Sequence, residues 1–253
     1  MRNYLRGALA IYAKDIRLEA RTKETISAVL AFAIIIAFIF GFAFDPSPTI
    51  VAVVGPGIVW VAYVFTGILG MNRTFALERD RGTLDGLLLA PVSRESVYAG
   101  KLASTATIML VVEAALFPVF LVLFDLNLFN IWFVLVALAA TIGFATVGTL
   151  FSAIAAHTRA REVLLPLLFL PIVLPVIISA VSGTDAAIAG DGWDGVGKWL
   201  QFIVAFDAVF LVLSSWAFDF VLEVPPPPGG EINFERIRTL FYNLENLGLP
   251  LRW

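Results

Sequence analysis

Apolar residues gather into six long runs along the chain, at about 26–44, 49–71, 102–124, 131–156, 163–181 and 199–222, and the short stretches between them hold most of the charge. Each run is close to the roughly 20 helical residues that cross about 30 Å of hydrocarbon. The runs are continuously apolar, whereas the strands of a membrane barrel alternate over segments of about ten residues. The pattern predicts an all-α integral membrane protein with six transmembrane helices.

Composition agrees: 60% of residues are hydrophobic, 15% are charged, and the mean hydropathy is +0.91. A soluble domain has about half apolar and about a quarter charged residues. The first run follows a charged leader and no small-residue cleavage pattern comes after it, so it reads as a span and not a removable signal.

The net charge of −3 says little, but its distribution orients the chain. Segments 1–25, 72–101, 157–162 and 223–253 hold 16 of the 17 Lys and Arg residues, and the alternate segments hold only Lys198. The positive-inside rule puts both termini and the 72–101 loop in the cytoplasm.

Residues 1–25 place Leu5, Ala8, Leu9, Tyr12 and Ile16 at helical spacing, with Arg6, Lys14, Arg17 and Arg21 largely elsewhere. That predicts a cytoplasmic amphipathic helix in the headgroup region, or else a basic stop signal that only fixes orientation. Residues 26–222 are expected to form a single six-span membrane domain. Residues 223–253 begin with a stiff Pro225–Pro228 spacer and the Gly229-Gly230 joint. An apolar stripe of Phe234, Ile237, Leu240, Phe241, Leu244 and Leu247 then predicts an amphipathic tail helix.

Inside the spans, Gly55-Pro56-Gly57 marks either a hinge or a tight packing point. Gly148, Ser152 and Ala156 recur every four residues, with Ala139 and Gly143 one face over, a spacing that lets helices approach closely in lipid. Pro166, Pro171 and Pro175 each remove a backbone donor from the fifth span.

Two acids lie well inside the hydrocarbon, Glu113 in the third span and Asp207 in the sixth; Asp219 reads as a boundary residue. An intramembrane carboxylate costs about 2.5–3.5 kcal/mol on insertion scales and so normally faces protein or water. Each acid is read either as a proton relay or substrate contact, or as a carboxyl hydrogen-bonded across a helix interface.

The chain has no cysteine, which excludes disulfides and thiolate metal sites. Its one histidine, His157, stands beside Arg159 and Arg161, a poor setting for a metal or haem ligand. Neither Gly100-Lys101-Leu102 nor Gly197-Lys198-Trp199 completes a G-x-x-x-x-G-K-[ST] loop, so no nucleotide is hydrolysed by such a loop here. No catalytic residue, metal or nucleic-acid partner is expected.

The stretch FALERDRGTLDGLLLAPVSRESVYAGK, residues 75–101, is the most charged interruption between spans. Thr83 can cap a short helix whose Leu84, Leu87 and Leu88 form one apolar face, Pro91 ends it, and Ser93 caps the next span. An apolar face on a charged loop suits a groove on another protein. Residues Glu78, Arg79, Asp80, Gly82, Thr83, Leu84, Leu87, Leu88, Pro91, Val92 and the Gly100-Lys101 pair resemble the first cytoplasmic loop of ABC-type export permeases. Gly55-Pro56-Gly57-Ile58-Val59-Trp60 and the run from Arg159 through Glu162 to Pro166, continuing past Pro171 and Pro175, narrow the resemblance to the CcmB family. It covers about residues 10–222.

The resemblance implies the permease subunit of the haem exporter of c-type cytochrome maturation. A coupling helix in the loop, with Arg81 and Asp85 among its charges, would dock on a CcmA-like ATPase, with Arg159, Arg161 and Glu162 in the second cytoplasmic loop. Paired permease subunits, CcmC-like and CcmD-like membrane subunits and a CcmE-like haem chaperone are the implied partners. ATP would bind the partner, haem would be the ligand transported or handled, and no cofactor would sit on this chain. The implied location is the bacterial inner membrane, with the mitochondrial inner membrane as the alternative. On the residues alone, an ABC permease for a lipid, glycan or drug stays open, as does an ion-coupled transporter using Glu113 and Asp207.

Overall fold

The structure, a computed structural model, describes residues 2–43, 48–72, 75, 92–126, 128–156 and 161–221. Among these it has seven helices and no strand: α1 (Arg2–Thr22), α2 (Glu24–Ala43), α3 (Pro48–Met71), α4 (Arg94–Phe124), α5 (Ile131–Ala156), α6 (Arg161–Ala189) and α7 (Gly192–Val221). Helices α2 to α7 are each long and apolar enough to cross a membrane.

Helix α5 is the centre of the bundle. It packs on α6, α7, α4 and α3, and 67% of its span is buried, against 17% for α2 and for α7. Most residues from Ala139 to Thr149 are Ala, Gly or Thr, which explains why: small side chains let four neighbours close on one axis.

Three of the helices run beyond the apolar stretches that announced them. Helix α4 starts at Arg94, ahead of its apolar run, with Ser93 as the N-cap expected from the sequence, accepting from the Ser96 N–H at 3.3 Å. Its first turns are polar yet buried, because Ser96, Gly100 and Lys101 lie under α1 and not in lipid. The stretch 182–198 is helical apart from Gly190 and Asp191, although its hydropathy reads as a loop. Gly190, at φ 82°, closes α6: the Asp191 N–H reaches the Ala186 carbonyl at 3.1 Å and the Gly190 N–H reaches that of Ala187 at 3.3 Å. That pair of bonds is the usual left-handed ending of a helix. Gly192-Trp193-Asp194-Gly195 is thus the first turn of α7.

Asn130 joins the two ends nearby. Its side-chain oxygen accepts from the Phe133 N–H at 2.8 Å, capping α5, and its amide donates to the Ala187 carbonyl of α6 at 2.8 Å. At the α1–α2 corner, Lys23 takes φ 52° and the Glu19 carboxylate accepts from the Ile26 N–H at 2.9 Å. A carboxylate there offsets the positive end of α2.

Gly55-Pro56-Gly57 runs inside an unbroken α3. A Cβ at Gly55 would come within 2.9 Å of Leu126, so this glycine makes room for a neighbour, while Gly57 has nothing within 4 Å. Helix α6 likewise continues through Pro166, Pro171 and Pro175.

Candidate functional site

Helix α1 turns two faces to different surroundings. Gly7 and Ile11 are buried against α4, while Leu5 and Leu9 stay exposed. The attachment depends on Gly100-Lys101. A Cβ at Gly100 would stand 2.7 Å from the Ala8 carbonyl oxygen and 2.8 Å from Ile11 Cβ, so only glycine lets the two backbones approach this closely. One residue on, the Lys101 ammonium meets the Asp15 carboxylate at 3.1 Å and lies 4.9 Å over the Phe75 ring. Lys101 is 1% exposed, and Ser104 adds a 3.3 Å bond to Asp15. Phe75, Tyr98 and Phe218 pack together beside this pair. The sequence shows Gly100-Lys101 as a motif; Asp15, almost ninety residues earlier, carries no local sign of being its partner.

Phe75 and Val92, the described residues on either side of 76–91, both pack in this corner. Glu78, Arg79, Asp80, Arg81, Gly82, Thr83, Leu84, Asp85, Leu87, Leu88 and Pro91 lie outside the described residues, as do His157, Arg159 and the 223–253 tail. Arg161 opens α6, and Glu162 is exposed in its first turn.

Glu113 is buried in the middle of the bundle, where Thr141 of α5 donates to its Oε1. The Tyr63 hydroxyl of α3 lies 2.8 Å from the Thr141 Oγ1. A threonine hydroxyl has one hydrogen, and Thr141 gives its own to Glu113, so Tyr63 is the donor in the second bond. The result is a directed chain, Tyr63 to Thr141 to Glu113, that ties α3, α5 and α4. One turn away the Trp60 indole N–H donates to Thr184 of α6 at 2.8 Å. Trp60, Tyr63 and Phe144 close around the chain edge to face or tilted, with ring centroids 5.6–6.1 Å apart. This is a cross-braced centre that joins four helices, and in it the Glu113 carboxyl is bonded across an interface.

Asp207 is also buried, on the opposite flank of α5, beside Gly143. Its Oδ1 has no hydrogen-bond partner among the described residues. The two acids read from the sequence are therefore not one site: they lie on either side of α5, reached through residues only two apart, Thr141 and Gly143. The partners Tyr63, Thr141 and Thr184 are neutral and unremarkable in sequence, and only the spacing of Tyr63 from Trp60 hints that both rings share a helix face.

The small-residue stripe of α5 meets α3. A Cβ at Gly148 would overlap the Met71 side chain, and Ser152 donates to the Met71 carbonyl at 2.8 Å. Among the described residues no group of three or more His, Asp or Glu comes together to hold a metal ion.

The family model described as CcmB protein matches residues 6–225. A protein of Rhodobacter capsulatus named Heme exporter protein B is 31% identical over 172 residues, covering 67% of this chain and 78% of that protein. The protein of the same name from Paracoccus denitrificans is 29% identical over 209 residues, 82% of this chain and 94% of that protein. For the Escherichia coli K12 protein of that name the figures are 28% over 180 residues, 70% and 81%.

Proposed function

The chain belongs to the CcmB family, and on that premise we propose that it is the membrane permease subunit of an ABC-type haem exporter serving c-type cytochrome biogenesis. The observation that carries this reading is the extent of the match, residues 6–225, together with relatives named Heme exporter protein B over most of their length. In this reading the chain is not itself an enzyme. A separate CcmA-like subunit binds and hydrolyses ATP, haem is the substrate of the assembly, and CcmC-like, CcmD-like and CcmE-like proteins complete it. The chain sits in the bacterial inner membrane with both termini in the cytoplasm.

ATPase closure enters through the coupling segment, on the Leu84, Leu87 and Leu88 face, and Arg159, Arg161 and Glu162 of the second cytoplasmic segment share in it. The attachment of α1 to the start of α4 supports this route. Movement delivered just before Ser93 reaches α4 and α1 as one unit, because Gly100 and Lys101 hold them together. The braced centre around Glu113 then carries it to α3, α5 and α6 as a packed body rather than as separate helices.

Replacing Leu84 and Leu87 with Asp tests the reading. The variant is expected to insert in the membrane, to lose the ATPase subunit on purification and to leave c-type cytochromes without haem. Unchanged retention of the ATPase overturns the coupling role.

A further inference from the structure

Where the start of α4 meets the last turns of α7, an open groove of about 480 Å³ is lined by Glu95, Leu211, Val212, Ser215 and Trp216. Its size falls in the roughly 300–1,000 Å³ range of small-molecule sites. One helix supplies an acid, the other an apolar wall with one hydroxyl. Val212 is 70% exposed and Trp216 66%, so the wall is open to whatever surrounds the bundle. Glu95 is exposed as well, and its carboxylate forms no ion pair among the described residues. The basic neighbour Arg94 stands about 100° further round α4 and does not line the groove.

The groove has a direction. The positive-inside rule puts the end of α7 on the cytoplasmic side, so passing from Trp216 back to Leu211 leads about 7.5 Å toward the middle of the bilayer. Glu95 lies at the other end, ahead of the apolar run that opens at about 102. A charged end at headgroup level that grades into an apolar end has the polarity of a phospholipid standing in the cytoplasmic leaflet. Only 17% of the α7 span is buried, so the rest of that helix meets lipid or another chain.

The walls select the headgroup. The cytoplasmic leaflet carries anionic lipid, and a carboxylate without an ion-pair partner repels a headgroup whose only charge is negative. A primary ammonium brings a positive charge and three N–H donors, enough to bond the Glu95 carboxylate and the Ser215 hydroxyl together. Its charge also suits the face of the Trp216 indole. A trimethylammonium has the charge but no donor.

We propose that this groove binds one phosphatidylethanolamine of the cytoplasmic leaflet, with its ammonium held by Glu95 and Ser215 beside Trp216 and an acyl chain lying on Leu211 and Val212. The bound lipid ties α7 to the start of α4 from outside the bundle.

The test melts the purified full chain in detergent with rising amounts of phosphatidylethanolamine, phosphatidylcholine or phosphatidylglycerol, as wild type, Glu95→Gln and Ser215→Ala. Phosphatidylethanolamine is expected to raise the melting temperature of the wild type by several degrees and to saturate. Phosphatidylcholine is expected to raise it less, and phosphatidylglycerol not at all. Glu95→Gln should lose most of the phosphatidylethanolamine increment and Ser215→Ala part of it. Each variant without lipid is its own reference, so a change in basal stability does not enter. Equal increments from phosphatidylethanolamine and phosphatidylglycerol, or an undiminished increment in Glu95→Gln, overturns the headgroup assignment.

A photoreactive benzoylphenylalanine placed at Val212 identifies the occupant in intact membranes. The expected adduct has the mass of phosphatidylethanolamine and falls several-fold when Glu95→Gln is added. Lipid adducts that merely follow the composition of the membrane overturn the proposal. An adduct to another protein chain overturns it too, and would mean that a partner subunit fills the groove.

Discussion

The carboxyl of Asp207 occupies the space that a side chain at Gly143 would need. A Cβ built there overlaps Asp207 Oδ1 and comes within 3.5 Å of its Cγ. The glycine lets α7 carry an acid against the backbone of α5, and the acid fills the groove that the missing side chain leaves.

Gly143→Ala should therefore force α5 and α7 apart, at an overpacking cost of about 1–3 kcal/mol. Denaturant or thermal unfolding in detergent measures it. The same substitution in an Asp207→Ala background should cost much less, because the colliding atoms are gone. Equal cost in both backgrounds would show that the contact is not the source.

Thr141→Val cuts the chain between Tyr63 and Glu113 at its middle link. It leaves two buried groups without this bond, at about 1–3 kcal/mol each. Tyr63→Phe removes only the first donor and leaves the bond from Thr141 to Glu113 intact, so it should be the milder change. Unfolding measurements that reverse this order would mean Glu113 takes its main support elsewhere.

At the α1–α4 attachment the two charges differ in burial, with Lys101 at 1% and Asp15 at 12% side-chain exposure. Asp15→Ala strips the more deeply buried charge of this carboxylate, and breaking a buried pair costs about 3–5 kcal/mol. Lys101→Met keeps an apolar stem in place, and Asp15 keeps its 3.0 Å contact with Lys14. Trypsin cleavage at the exposed Lys14 and Arg17 should accelerate strongly in the first variant and less in the second. Gly100→Val should accelerate it as well, because its Cβ meets backbone at 2.7 Å and backbone cannot rotate away.

The two glycines flanking Pro56 should answer differently. Gly55→Ala meets Leu126 at 2.9 Å and should destabilise α3 against the α4–α5 connection. Gly57→Ala meets nothing within 4 Å and should stabilise the helix by about 0.4–1 kcal/mol through the lower entropy of the unfolded chain. Paired melting curves separate packing from hinge. A loss of transport in a Gly57→Ala protein that melts higher would assign the hinge to that position.

The two intramembrane acids were legible because a carboxyl inside 20 apolar residues stands out on any hydropathy reading. Their surroundings were not legible. Thr141, Tyr63 and Thr184 are ordinary in a span, and whether a hydroxyl faces lipid or a carboxyl depends on how each helix is rotated against its neighbours. The stretch 182–198 was misread for a related reason: it is polar enough to pass for a loop, yet it is helical apart from Gly190 and Asp191, and Thr184 within it bonds Trp60 of α3.

The sequence by itself determined the six-span helical class. Backbone groups in hydrocarbon must bond within their own segment, so an apolar run of about 20 residues has little choice but to be helical. Tertiary structure alone decided that Asp15 meets Lys101, that Gly143 receives Asp207, and that Glu95 and Trp216 line one groove. Such pairings arise from close packing between helices far apart in the chain, where one missing Cβ or one turn of rotation selects the neighbour. No local pattern records that selection.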